Sequence, residues 1–387
     1  MKQLQNLLLG IPEIKTVRER FRDGVNAQLI TGLMNSGKAL FIAGIYQETK
    51  KRFVIVTHNM FQAQKLYDDL IELVPEQDVM LYPVDETLAA ELSYGASPEL
   101  RATRIETRQR LLTTDDGILI IPLVGLRRYV PTAADFLGHT HRIKPGDVLS
   151  IPDFIQELVD AGYERAATVT TPGEFAVRGS IIDLYPLTVE RPYRLDLFDE
   201  EVDSIYTFDA ETQRSLGVVA EALVPPAAEH FATNDGLRAA GEQLRGLYEA
   251  TKQRVQSTEV LVALEEGIAY DVELLENGER PKQLPKYAPL LYKTTLLDDI
   301  RDTVLIVDEV ARIEEAAEVQ DTEEAEWMAS LIERGQSISD YTLSVPMMKV
   351  FQQRQLLYLS LLPTRRSGVP ESAAIHFSIK PIAPFHG

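Results

Sequence analysis

The stretch Gly32-Leu33-Met34-Asn35-Ser36-Gly37-Lys38-Ala39 has the spacing of a phosphate-binding loop. In such a loop, backbone N–H groups and a helix start point at phosphate oxygens, and the lysine reaches the outer phosphates. The last position departs from the pattern. A Ser or Thr hydroxyl there holds Mg²⁺, and Ala39 has none. The acids that would complete the site are Asp308 and Glu309, which follow the apolar run Leu305-Ile306-Val307. In an active site the Asp holds the metal through water and the Glu polarises the attacking water. Gly32, Ser36, Gly37, Lys38, Asp308 and Glu309 are therefore expected to form a vestigial nucleotide site. Two further parts are missing. Phe21-Arg22-Asp23-Gly24 stands where an aromatic-plus-Gln adenine reader would precede the loop, and no arginine-bearing second motor unit follows. The expectation is a chain with no catalytic residue, no cofactor and no efficient ATP hydrolysis.

Positioning these residues requires alternating strands and helices. Residues 27–31, 53–57, 79–82 and 118–121 read as buried-type strands, with helices at about 60–73 and 98–112 between them. This alternation predicts a parallel α/β sheet. The character changes near residue 130. From 142 to 210 the segments are short, and several alternate apolar and polar residues as half-buried antiparallel strands do. Strands are expected at 147–150, 165–171, 174–178, 180–184, 193–198 and 201–208, with a helix at 152–161. Helical periodicity returns over 230–275, a buried-type strand lies at 303–307, and an acidic helix spans 311–335. Further strands are expected at 355–361 and 373–380. The predicted fold class is an α/β, P-loop helicase-like parallel-sheet domain interrupted by a small α+β domain. The expected boundaries are 1–128, 129–214 and 215–387.

Charge narrows the function classes. Against 39 Lys+Arg stand 59 Asp+Glu, a net charge of −20, which opposes a surface that grips nucleic acid throughout. There is no cysteine, so disulfides, thiolate metal sites and cysteine nucleophiles are excluded. Six scattered histidines make no zinc-like pair. No apolar run is long enough to span a membrane, and the N-terminus lacks a signal-peptide pattern, so a cytoplasmic, monomeric chain is expected. The Arg-rich helix 101–110 is expected to be one side of an interdomain salt-bridge set rather than a DNA patch.

Three segments are more specific. Ala161-Gly162-Tyr163-Glu164-Arg165, the run from Gly173 to Pro186, and Tyr193 to Val202 resemble the domain with which UvrB and the transcription-repair coupling factors bind UvrA in bacterial nucleotide excision repair. Thr57-His58-Asn59 and the following Gln62-to-Tyr67 resemble the helicase segment after the UvrB P-loop, and Pro384-Phe385-His386-Gly387 resembles the passage into the coupling factors' next domain. The coupling factors fit better than UvrB. UvrB keeps a Thr after the loop lysine and Ser-His after the acidic pair, where this chain has Ala39 and Val310-Ala311. The stretch from Tyr82 to Pro98 lacks the tyrosine cluster of the UvrB DNA-gripping hairpin.

The resemblance implies a UvrB-mimicking module, not itself an enzyme, that recruits UvrA to stalled RNA polymerase. It further implies polymerase-binding and ATP-driven DNA-translocase domains beyond residue 387, where ATP and Mg²⁺ would act, and a nucleoid-associated setting. The UvrA contacts it carries over are Arg165, Phe175, Arg178, Arg194 and Asp196. Strand alternation places Phe175 opposite Arg178, and Arg194 with Asp196 on one face. The competing functions are an active helicase half and a direct damaged-DNA binder.

Overall fold

The computed structural model describes residues 11–377 apart from Asn35, Lys50, 86–95, Arg301, Ser339, Gln353, 363–365 and 367–368. The expected strand beyond 377, the junction-like Pro384–Gly387 and most of the stretch between Tyr82 and Pro98 lie outside the described residues.

The helix Pro12–Arg22 leads into β1 (Ala27–Thr31), the helix Ser36–Thr49, β2 (Arg52–Thr57), the helix Met60–Ile71, β3 (Val79–Leu81), the helix Pro98–Thr113 and β4 (Ile118–Pro122). The chain then leaves this unit. It forms β5 (His141–Ile143), the helix Ile151–Asp160, β6 (Glu164–Arg165), β7 (Glu174–Arg178), β8 (Ile181–Leu184), β9 (Tyr193–Phe198), β10 (Glu201–Phe208), β11 (Ser215–Val218) and β12 (Ala222–Val224). A helical stretch follows, principally Asn234–Arg254, Thr258–Leu264 and Tyr270–Glu276. The chain re-enters the first unit with β13 (Thr303–Asp308), the helix Val310–Glu333, β14 (Gln355–Ser360) and β15 (Ala374–His376).

The large sheet has the order β15-β1-β14-β13-β2-β4-β3, and all its pairings are parallel. β13 inserts between β14 and β2, so the returning chain completes a sheet whose first half was made some 180 residues earlier. Its strands are near-continuous Val, Ile and Leu because helices cover both faces. The predicted α/β fold with an inserted small sheet domain is the fold observed.

The small sheet runs β11-β10-β9-β8-β7-β6, antiparallel except for β6 with β7. Its inner face packs Phe175, Ile182, Leu184, Leu195 and Leu197 on Phe154 and Leu158 of the helix Ile151–Asp160. Several details differ from the sequence reading. Residues 147–150 make only a single bridge, Val148 to Glu201, and 165–171 is a strand only at its first residue. β5 and β12 pair with each other, and the core they join reaches Phe231, so the small unit continues past residue 214.

The Arg-rich helix Pro98–Thr113 does bind units together. Arg104 is fully buried; it donates to the Pro83 carbonyl at 2.6 Å and to Glu229 at 3.0 Å. Arg108 donates to the Pro131 carbonyl and lies 3.8 Å from Asp299.

Candidate functional site

Two sites emerge, one at each sheet. The first sits at the carboxyl ends of β1 and β13, where ligands bind in open parallel sheets. Gly32 follows β1 with φ +84°, a conformation that only glycine adopts cheaply. A Cβ there would lie 2.0 Å from the Phe377 carbonyl oxygen, because β15 runs alongside and Phe377 N–H donates to the Thr31 carbonyl. Gly37 N–H, at the start of the helix Ser36–Thr49, donates to Met34 O at 2.8 Å. A loop amide that would face a phosphate is thus spent inside the loop. Ser36 is exposed beside it.

Lys38 bridges the sheet. Its Nζ donates to Asp308 Oδ1 at 2.6 Å and to Glu309 Oε1 at 2.8 Å. Burial disfavours the Lys38 charge, but the two carboxylates more than offset this, and the ammonium titrates above its ordinary value. Glu309 is held at three points: left-handed backbone at φ +55°, its N–H donating to Leu359 O, and Oε2 accepting from Leu361 N–H. The Ala39 methyl is wholly buried in the core beneath the loop. The structure therefore brings together the expected residues Lys38, Asp308 and Glu309, and adds His58, whose Nδ1 is buried without a hydrogen-bond partner. Burial, followed by Arg312, pushes His58 below its ordinary pKa. Among the described residues, no cluster of three or more His, Asp or Glu is arranged to hold a metal, and no helix is long and apolar enough to cross a membrane.

The second site is the outer face of the small sheet. Register lines up Ala176, Asp183, Arg194, Tyr206 and Val218 across five strands. The adjacent row holds Arg178, Ile181, Asp196 and Ser204. Asp183 is completely buried and accepts from both arginines: Arg194 Nε at 2.7 Å and Nη2 at 2.9 Å, and Arg178 Nη2. The planar fork of Arg194 suits this bidentate grip. Arg194 also lies 4.6 Å over the Phe208 ring. Its hydrogen bonds to Asp183 raise its pKa. The Arg178 side chain stays 46% exposed, against 17% for Arg194, so Arg178 is the more open of the two.

Arg178, Arg194 and Asp196 thus share one face, as alternation predicts. Two expected contacts do not join them. Phe175 is fully buried, pointing from the opposite side of β7 into the core, and cannot touch a partner. Arg165 is exposed but lies in register with Phe175 at the end of the sheet, on the parity opposite Arg178. Asp183 was not among the contacts expected from sequence. The signal was present: the two-residue loop Gly179-Ser180 fixes Arg178 opposite Ile181, and so Ala176 opposite Asp183.

Residues 142–231 match the family model of the UvrB interaction domain, which covers this whole sheet. Across its full length the chain is 34% identical to a transcription-repair-coupling factor of Bacillus subtilis (strain 168), covering 33% of that protein. It is 31% identical to the Staphylococcus haemolyticus (strain JCSC1435) protein of the same name, over 93% of the chain and 31% of the relative. The Staphylococcus epidermidis (strain ATCC 12228) protein is 32% identical, with the same coverage. The chain spans about a third of the length of these curated relatives. Both the alignment along the chain and the interaction-domain match point the same way: over its whole length the chain is similar to about a third of a transcription-repair-coupling factor, and residues 142–231 of it match the UvrB interaction domain.

Proposed function

We propose that this chain is a recruiting module without catalysis of its own, which mimics UvrB and brings UvrA to stalled RNA polymerase in transcription-coupled repair. The observation that carries this reading is the arginine face of the small sheet. Within the UvrB interaction domain, a buried Asp183 holds Arg194 and Arg178 in place with half of Arg178 open to a partner. Fixed guanidiniums suit a carboxylate-bearing surface, because little side-chain freedom is lost on binding. The Asp196 side chain, on the same face, has no partner among the described residues and extends the proposed contact.

The absence of catalysis rests on three features together: Ala39 supplies no metal-binding hydroxyl, Lys38 is taken by both acids, and the Gly37 amide is used within the loop. ATP-driven translocation on DNA and polymerase binding are proposed for the remainder of a longer protein, working in the cytoplasm at the nucleoid. The test is a pull-down of purified UvrA with this chain, alongside an ATPase assay. The reading predicts UvrA capture that survives Lys38→Ala, and no hydrolysis by either form. Nucleotide-dependent turnover lost in Lys38→Ala would favour an active helicase half instead.

A further inference from the structure

A cavity of about 990 Å³ lies between the helices Thr258–Leu264 and Tyr270–Glu276, the loop after Arg280, and the end of the helix Val310–Glu333. Its size is that of a small-ligand pocket. Trp327 lies about 25 Å along its helix from the Val310 end, taking 1.5 Å per residue. Glu309 of the vestigial nucleotide site directly precedes that end.

Two local irregularities shape the cavity. The two short helices join through a π-helical segment, Glu265–Ala269, a distortion often found at functional sites. Gly335, at φ +68°, closes the wall. A Cβ there would lie 2.5 Å from the Val260 carbonyl oxygen and 2.8 Å from the Ala263 Cβ.

The lining divides into committed and free groups. Lys286 donates to Gln336 O at 2.7 Å, Asp271 accepts the Tyr287 hydroxyl at 2.5 Å, and Arg280 donates to the Asp160 carbonyl. By contrast the Glu266, Tyr270, Lys282 and Trp327 side chains line the cavity with no hydrogen-bond or ion-pair partner among the described residues. Two aromatic rings, one cation and one carboxylate are thus left open around a space of ligand size. The rings offer flat stacking surfaces, the ammonium an anion site, and the carboxylate an acceptor for a ring amine.

We propose that this cavity binds a purine mononucleotide bearing a ring amine, its base against Trp327 and Tyr270, its amine toward Glu266 and its phosphate at Lys282. The site is separate from the vestigial loop and independent of the proposed UvrA contact. Trp327 is the only tryptophan in the chain, so its fluorescence reports on this cavity alone. The experiment titrates the full chain with AMP, following fluorescence and calorimetry together. Saturable binding is expected, with Lys282→Glu weakening it at least tenfold and Lys38→Ala leaving it within twofold. Lys282 is exposed, so its replacement leaves the fold intact, which circular dichroism verifies. Three results would overturn the proposal: no saturable AMP binding by either method at millimolar concentration, binding lost in Lys38→Ala, or binding unchanged in Lys282→Glu.

Discussion

Asp183 is the residue on which the arginine face depends. Its carboxylate is buried completely, and its charge is tolerated because two guanidiniums approach it. Asp183→Ala leaves Arg194 partly buried without its partner and is expected to cost about 2–3 kcal/mol, read as a fall in denaturant midpoint. A loss under 0.5 kcal/mol would mean the clasp does not hold the face. His58 makes a pH prediction. Its pKa is depressed in the folded chain, chiefly by burial, so protonation favours the unfolded state. The stability tied to neutral His58 is complete above about pH 6.5 and is lost as pH falls below it, by at most about 1.4 kcal/mol per pH unit. Denaturation of wild type and His58→Gln between pH 7.5 and 5.5 checks this, and the variant should show the shallower loss. Parallel curves would remove His58 from the explanation.

At the scale of elements, the small domain hangs on a tight junction. Gly162 ends the helix Ile151–Asp160 at φ +92°, and a Cβ there would sit 2.5 Å from the Ala228 Cβ. The neighbouring Ala161 carbonyl accepts from Ala227 and Ala228, which ties β12's exit to the helix end. Gly162→Ala combines backbone strain with overpacking and should destabilise by about 2–4 kcal/mol. A melting temperature within 1 °C of wild type would contradict this. Much of this scale was legible in sequence. Buried parallel strands announce themselves as unbroken Val, Ile and Leu, and the phosphate-loop spacing marks its own strand and helix. Less legible were β5, β11 and β12. β11 is an exposed edge without an apolar run, and β5 and β12 are three-residue strands formed only by pairing with each other. The exclusion of Phe175 from the contact face was readable from strand parity, whereas the distance between Lys38 and Glu309 was not, since the two lie 271 positions apart in the chain.

For the whole molecule, the −20 charge takes on a local meaning. Cations are not spread over a nucleic-acid face. Arg104, Arg108 and Arg127 are buried among carbonyls and carboxylates that join units, and Lys38 is paired with Asp308 and Glu309 at the ends of β1 and β13. What remains half open on the outer face of the small sheet is Arg178, fixed beside Arg194 by a shared buried carboxylate. The two sheets are separate in hydrogen bonding, so a change on one need not disturb the other. The decisive measurement is the affinity of purified UvrA for this chain and for its Arg178→Glu and Arg178→Ala forms, with thermal melts confirming that each variant folds. Charge reversal should weaken binding at least tenfold, and alanine less, while the melting temperature stays within a few degrees. Unchanged affinity in a folded Arg178→Glu chain would contradict the assignment of this face to UvrA.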